Sequence, residues 1–190
     1  MGQYYKPAVL KQNKKSVQAW VYSHDIKYDF KRFDGQVVEM GNGLKLMEHS
    51  YLKNDFVQAF ETLIFENPQI VVWGGDYADE CKGRKTNIYQ RCTDKTKVIP
   101  EKRISLKQGR YLLNHDKKIF VDKFKVPKFN GGFQIHPLPL LTCEGNLRGG
   151  GDFRGEDKNN IIGSWSRDYV SVQGTKPKGF TELNFDLLED

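Results

Sequence analysis

Cysteine is scarce in this chain of 190 residues, and long apolar runs are missing from it. The three cysteines, Cys81, Cys92 and Cys143, show no CxxC spacing, which argues against a structural zinc site. Their odd number predicts reduced thiols, although Cys81 and Cys92 bracket a polar loop and would pair in an oxidising compartment. No apolar run approaches the roughly 18 residues that a membrane helix needs, so we expect no membrane partner and a cytoplasmic location.

Signatures of catalysis and of cofactor binding are also missing. The four histidines show no HxH, HxxxH or HExxH spacing, which argues against zinc hydrolase chemistry. His49 is a candidate general base, or else a polar residue that bonds to the backbone near a helix start. No Gly-Lys-Ser/Thr follows a strand, and no GxGxxG lies between a strand and a helix. The sequence therefore predicts no cofactor and leans away from an enzyme.

The composition favours one folded domain over residues 1–190. Apolar residues make up 38% of the chain and aromatic residues 13%, which is enough for a sizeable core. The only clear helix is predicted at 54–67, where Asn54 is a suitable N-cap and an apolar stripe runs through Phe56, Phe60, Leu63 and Ile64. Asn67 and Pro68 then end the pattern.

Most of the other periodic segments are typical of strands. Alternation predicts an N-terminal hairpin from 4–10 and 16–23, and a buried strand at 69–76. A second hairpin is predicted within 109–126, around the turn NHDKK. The segment 135–141 contains two prolines and is predicted to be extended and at best an edge strand. The segments 161–166, 168–174 and 180–188 predict two or three closing strands. These elements predict an α+β fold, a single strand-rich domain with a mainly antiparallel sheet and one principal helix.

Four segments together resemble an uncharacterised family of small bacterial and phage proteins. They are MGQYYKPAVL, GNGLKLMEH, VVWGGDYAD and LTCEGNLRGGGDFRG, spread over residues 1–155. Members of this family begin MGQY(Y/W) and carry a GxGxKL segment and a GDYA turn. The resemblance implies a bacterial host and a phage connection, and it implies no known activity.

The strongest candidate for ligand binding is the glycine-rich segment 144–155, EGNLRGGGDFRG. Successive glycines let backbone N–H groups converge on an anion, and arginine side chains supply forked donors for a phosphate. The alternative is a flexible connection with local turns. The candidate ligand residues in this segment are Asn146, Arg148, Gly149, Gly150, Gly151, Asp152 and Arg154.

Two further candidates follow in the segment GSWSRD. If this segment is extended, Trp165 and Arg167 lie on the same face and offer a stacking ring beside a phosphate contact. The alternative is that Trp165, like Trp20 and Trp73, is a core residue of a strand.

The turn GGDYADE follows the predicted strand at 69–76 and carries three acidic residues. Asp76 and Asp79 are candidate ligands for Mg²⁺, with Glu80 as a third oxygen donor. Aspartate is also a common turn residue that bonds to its own backbone, so both interpretations stay open.

Charge is distributed unevenly along the chain. The net charge is +6, yet residues 82–128 contain fifteen Lys and Arg against four Asp and Glu, a local +11 that leaves −5 for the rest. Such a basic stretch is typical either of a surface for nucleic acid or an acidic protein, or of solvated strands and loops.

Three functions are therefore open. The first is non-enzymatic binding of an anionic ligand, a phosphorylated small molecule such as a nucleotide, which a phage protein would use to sequester a host signalling nucleotide. The second is binding of nucleic acid or an acidic protein through residues 82–128. The third is a Mg²⁺-dependent hydrolase that uses Asp76, Asp79 and Asp152.

Overall fold

Ten strands and four short α-helices make up the described part of the chain, taken from a computed structural model. The structure describes residues 3–31, 36–41, 43–128, 132–145, 153, 155–157 and 159–187. The strands are β1 Tyr5–Leu10, β2 Val17–Trp20, β3 Lys27–Lys31, β4 Val37–Gly41, β5 Gln69–Gly75, β6 Tyr111–Asn114, β7 Ile119–Asp122, β8 Cys143–Glu144, β9 Tyr169–Gln173 and β10 Thr181–Glu182. The helices are α1 Leu46–His49, α2 Asp55–Glu61, α3 Ile88–Arg91 and α4 Pro137–Thr142. None of these helices has the length and apolar character to cross a membrane.

Eight of the strands form one mixed sheet. Seven of them follow the order β10-β7-β6-β9-β5-β1-β2, and β8 pairs with the end of β5. The β10–β7 and β5–β8 pairs are parallel, whereas the other five pairs are antiparallel. Strands β3 and β4 form a separate antiparallel hairpin. These pairings confirm the predicted strand-rich α+β fold, and both predicted hairpins, β1–β2 and β6–β7, are confirmed as well.

Strand β5 lies in the middle of the sheet and is buried on both faces. Val71 and Trp73 belong to the larger core, which α2 and α4 cover. Ile70 and Val72 belong to a second core on the opposite face, together with Ile88 of α3. Because both faces are covered, the strand has a continuous apolar run rather than an alternating pattern.

The principal helix begins where the sequence predicts and ends earlier. The Asn54 side chain accepts hydrogen bonds from the N–H groups of Phe56 and Val57, at 2.9 and 3.2 Å, which confirms the N-cap. Helix α2 ends at Glu61, and a 3-10 turn over Thr62–Ile64 follows it. The chain then turns towards β9, because the Glu66 N–H donates to the Val172 carbonyl at 2.8 Å.

The prediction of an extended segment at 135–141 is wrong, because Pro137–Thr142 forms α4. Both prolines lie in the first turn of this helix, where a missing N–H removes no intrahelical bond. The imidazole of His136 caps the helix, with Nδ1 accepting from the Leu138 N–H at 3.1 Å. Local capping thus outweighs the extended preference of an X-Pro pair.

Two of the two or three predicted closing strands are present, and the segment 161–166 is not one of them. This segment is a series of turns, in which the Asp157 carboxylate accepts from the N–H groups of Ile161 and Ile162. Gly163 has φ +70, a left-handed conformation that no regular strand contains. The strand predicted at 168–174 is confirmed as β9, and the one predicted at 180–188 is reduced to the two residues of β10.

Candidate functional site

Most of the glycine-rich segment 144–155 lies outside the described residues. Its seven candidate ligand residues, Asn146, Arg148, Gly149, Gly150, Gly151, Asp152 and Arg154, lie outside the described residues. The structure does describe the point at which the segment leaves the sheet, where β8 ends at Glu144 and is followed by the buried Gly145.

Trp165 is a core residue, which agrees with the alternative interpretation of the sequence. Its exposed fraction is 1%, and it belongs to the larger core. Its backbone N–H donates to the Leu141 carbonyl at 2.7 Å, which holds the turn against α4. Because the segment 161–166 turns rather than extends, the ring points into the protein and not along a surface.

Arg167 is a positioning residue at the base of the glycine-rich segment. Its guanidinium binds the Glu144 carboxylate through two bonds, Nε to Oε1 at 2.7 Å and Nη2 to Oε2 at 2.8 Å. A third bond runs from Nη1 to the Lys14 carbonyl at 3.0 Å. Burial opposes the charge of Arg167, yet the hydrogen bonds to Glu144 raise its pKa overall. Since the Glu144 carboxylate pairs with the guanidinium and three of its five N–H donors are engaged, Arg167 fixes where the segment starts.

The two predicted metal ligands, Asp76 and Asp79, have different surroundings. Asp76 accepts a hydrogen bond from the Tyr4 N–H at 3.0 Å, which ties the turn to the start of β1. Asp79 lines a cleft of about 200 Å³ with Glu80, Lys82 and the Glu144–Arg167 pair. No group of three or more metal-binding side chains occurs within the described ranges. The third residue of the hydrolase hypothesis, Asp152, lies outside those ranges.

The most deeply buried histidines serve the core rather than catalysis. His49 is fully buried against Phe56 and Trp73, and burial lowers its pKa to about 3. His136 is fully buried at the start of α4, and burial lowers its pKa as well. A side chain sealed in the core cannot reach a substrate, so His49 is not a general base.

These two histidines predict that the protein loses stability in mild acid. Both histidines have folded-state pKa values below the ordinary 6.5. Their contribution to the stability of the folded protein is therefore complete above pH 6.5 and is lost as the pH falls. Between about pH 7.5 and about pH 5.5, we expect the free energy of unfolding to fall by about 1–3 kcal/mol. Urea denaturation at the two pH values measures this change. His136→Asn keeps a capping side chain and should lose less unfolding free energy between the two pH values. An unchanged urea midpoint in the unsubstituted protein would contradict the role given to the two histidines.

Ion pairs with distant acidic residues neutralise part of the basic stretch 82–128. Five of its cations pair with carboxylates outside the stretch, and Arg110 pairs with Asp122 within it. The five pairs are Lys97–Asp25, Arg103–Asp55, Lys117–Asp168, Lys123–Glu61 and Lys125–Glu182. Six of the fifteen cations of the stretch are thus held in ion pairs, and exposed cations remain along it, among them Lys82, Arg84 and Lys85 in one turn.

A cleft of about 460 Å³ lies on the second face of the sheet, between β1, β2 and the segment that follows α3. We call it the aromatic–lysine cleft. Its volume falls within the range of small-molecule sites. Its lining residues are Lys6, Trp20, Tyr22, Tyr89, Cys92, Thr93, Asp94 and Lys97.

The ammonium of Lys6 lies between two aromatic rings of this cleft. Its Nζ is 4.2 Å from the centroid of the Tyr89 ring and 4.7 Å from that of Trp20. Lys6, Ala8 and Leu10 lie two residues apart along β1 and therefore on the same face of the strand, so the stem of Lys6 faces the second core. Burial lowers the pKa of Lys6. Across the described residues no carboxylate oxygen lies within 4.0 Å of this ammonium, so the half-buried cation has no direct ion pair there, and Asp94 acts on it only from farther away.

The opposite wall of the cleft is held firmly. Trp20 Nε1 donates to the Thr93 carbonyl at 2.7 Å, and the Val98 N–H donates to the Trp20 carbonyl at 2.9 Å. Tyr22 packs edge-on against Trp20, with ring centroids 5.7 Å apart. These bonds connect β2 to the segment after α3, so the cleft is formed before any ligand arrives.

The thiol in the cleft is inert. Cys92 is buried, and burial raises its pKa to about 12, despite the opposing effect of the nearby Lys6. A thiol that stays protonated at neutral pH is a poor nucleophile. The groups that line this cleft therefore suit binding better than covalent chemistry.

Sequence reasoning missed this cleft because its residues come from distant segments. Lys6, Trp20, Tyr89 and Lys97 share no local motif. One signal was present, since the alternation along β1 puts Lys6 on the same face as Ala8 and Leu10, where a charged residue is unexpected.

Comparison with known proteins identifies no relative: no family model, no curated protein and no solved structure matches this chain. The resemblance described above therefore stays a prediction.

Proposed function

We propose that this protein binds a phosphorylated small molecule that carries an aromatic ring, a nucleotide in the first place, and that it does so in the aromatic–lysine cleft without catalysing a reaction. The proposal rests on the half-buried ammonium of Lys6, which has two aromatic neighbours and no carboxylate within ion-pair distance in the described part of the chain.

A bound phosphate would place a negative charge in direct contact with the Lys6 ammonium. A buried charge is costly unless an opposite charge and hydrogen bonds compensate for it. Lysine binds phosphate as a point charge, and charge-assisted bonds are stronger than neutral ones. A phosphate at Lys6 Nζ would also raise the pKa that burial lowers.

The aromatic side chains of the cleft favour a ligand that carries a flat ring system as well as a phosphate. Tyr22 and Tyr89 are half-buried, so part of each ring faces the cleft, while Trp20 forms the buried wall behind them. Nucleotide bases stack on such aromatic side chains regardless of their identity. A ligand with both an anion and a flat ring therefore uses more of the cleft than inorganic phosphate would.

The glycine-rich segment remains a second proposed contact for the same class of ligand. Arg148 and Arg154 are the donors to test in that segment, whereas Trp165 and Arg167 are no longer among the proposed ligand residues. For a chain that resembles a family of bacteria and their phages, the proposed role of such binding is to sequester a host signalling nucleotide in the cytoplasm.

The first experiment is to identify small molecules that the protein carries when it is purified. The protein is denatured, and the supernatant is analysed by mass spectrometry after a 260/280 nm absorbance reading. Calorimetric titration with AMP, GMP, adenosine and guanosine follows. Heat from the monophosphates and little from the nucleosides is the expected result. No released ligand and no heat at tens of micromolar protein would overturn the proposal.

Lys6→Met is expected to weaken nucleotide monophosphate binding by about 10- to 100-fold, because it removes a charge-assisted contact and keeps an apolar stem against Trp20. Lys11→Met is the matched control, since Lys11 is an exposed lysine beyond the other end of β1. Affinity that falls only in an Arg148→Ala/Arg154→Ala double variant would move the site to the glycine-rich segment and contradict the assignment to Lys6.

A further inference from the structure

We infer that the aromatic–lysine cleft selects guanine among the bases, through a paired acceptor and donor at its mouth, Asp94 and Lys97. This inference rests on the proposed function, and it names the ligand class more closely as guanine nucleotides. It depends on the geometry of these two side chains and on the hydrogen-bonding pattern of the guanine edge.

Asp94 and Lys97 present opposite charges side by side. Lys97 Nζ lies 3.7 Å from Asp94 Oδ1 and 3.1 Å from Asp25 Oδ2. The Asp94 side chain is 94% exposed, so its carboxylate oxygens are open at the mouth of the cleft. The ammonium carries three N–H donors, and Asp25 engages it from the protein side, which leaves donors for a ligand.

Backbone contacts position the segment of Asp94 and Lys97 beside the aromatic side chains of the cleft. Lys97 forms a parallel bridge with Trp20, and the Thr93 carbonyl accepts from the Trp20 indole N–H. Asp94 begins the 3-10 turn that runs to Thr96. The hydrogen bond to Asp25 raises the pKa of Lys97, which keeps the ammonium charged at neutral pH. The backbone that carries the donor and the acceptor is therefore fixed relative to the aromatic walls.

Guanine matches this arrangement better than any other base does. Its Watson–Crick edge presents the O6 acceptor beside two donors, N1–H and the N2 amino group. A carboxylate accepts from both donors, and an adjacent ammonium donates to O6. Adenine presents an amino donor where guanine presents O6, and an acceptor at N1. Adenine would therefore set its N6 amino group against Lys97 and its N1 lone pair against Asp94.

The phosphate end of such a ligand fits the remaining wall. Lys6 lies against Tyr89 and Trp20, and Asp94 lies near enough to influence the Lys6 ammonium electrostatically. One nucleotide therefore has a cation for its phosphate, rings beside its base and an acceptor–donor pair for its base edge. All three features line the same cleft of about 460 Å³.

The test is a calorimetric titration of the full chain with GMP, IMP, AMP and CMP. We expect GMP to bind at least about tenfold more tightly than AMP, since a bidentate base contact discriminates by roughly that factor or more. IMP, which keeps O6 and N1–H and lacks the N2 amino group, should bind with intermediate affinity.

Asp94→Asn is the variant that tests the assignment. This variant should lower the affinity for GMP to that for AMP, because the asparagine side chain has one acceptor oxygen and no charge. The affinity for AMP should stay nearly unchanged. The exposed Glu101 supplies the control, Glu101→Gln, which removes the same charge from the same basic stretch and should preserve the preference. A melting curve confirms folding, and the near-complete exposure of the Asp94 side chain predicts an unchanged midpoint.

The possible failures are distinguishable. If all four monophosphates bind equally and Lys6→Met abolishes binding, the guanine inference is wrong and the proposed function stands. A GMP preference that survives in Asp94→Asn also overturns the inference. If none of the monophosphates binds, both the inference and the proposed function fall.

Discussion

Lys123→Met is expected to lower the free energy of unfolding by about 3–5 kcal/mol, because it leaves a carboxylate buried without its cation. The Lys123 ammonium lies 2.5 Å from Glu61 Oε1, and both side chains are fully buried. His136 Nε2 lies 3.4 Å from the same oxygen and is buried as well. These three residues join the segment directly after β7, the end of α2 and the start of α4.

Glu61 is the charged centre of this group. Burial alone would raise its pKa, yet Lys123 and His136 together hold the pKa below its ordinary value. Removal of Lys123 takes away the largest single effect that lowers this pKa, its charge. The expected result is therefore an uncompensated charge in the core, which costs more than the methionine gains by packing.

Urea denaturation of three variants tests this prediction. The single variant Lys123→Met should unfold at a much lower urea concentration, whereas Lys123→Met/Glu61→Leu should recover most of the loss, since apolar pairs often replace buried ion pairs at little cost. Lys125→Met is the control, because Lys125 is exposed in its pair with Glu182 and should matter little. Equal midpoints for the single and double variants would show that the charge is not the cause.

Trp165→Ala is expected to destabilise the protein by about 3–5 kcal/mol, through loss of a large buried side chain and the cavity that remains. Trp165 is 1% exposed and packs in the larger core next to α4. The substitution should therefore act on folding and not selectively on a ligand.

Tyr77→Ala is the matched control for this prediction, because Tyr77 is 48% exposed and its loss should change the stability by less than about 0.5 kcal/mol. Thermal melting and nucleotide titration of both variants separate a structural role from a binding role. A Trp165→Ala protein with an unchanged melting temperature and no nucleotide affinity would restore Trp165 as a stacking residue.

Several elements could be predicted because their signals are local. Asn54 caps α2 through bonds to residues two and three positions ahead, so the sequence contains all that is needed. The hairpins β1–β2 and β6–β7 need only alternation and a short polar turn. The continuous apolar run of β5 predicts a strand buried on both faces.

The wrong predictions have a common physical cause, since a capping side chain decided the local conformation. His136 caps α4 in a segment whose prolines suggest extended chain. Asp157 caps the turns at 161–166, where the pattern of Ile161, Ile162 and Trp165 is typical of a strand. Apolar residues in both segments enter the core from a helix or a turn, so burial alone did not reveal the secondary structure.

By itself, the sequence determined the fold class, the buried central strand, the capped helix and the two hairpins, because short-range hydrogen bonds and side-chain periodicity are enough for them. Only the tertiary structure decided which cations keep a charge available for a partner. Five lysines and arginines of the basic stretch meet distant carboxylates, whereas Lys6 meets two aromatic rings. The order of strands across the sheet brings those residues together, and pairing between strands far apart in sequence is not encoded in any local pattern.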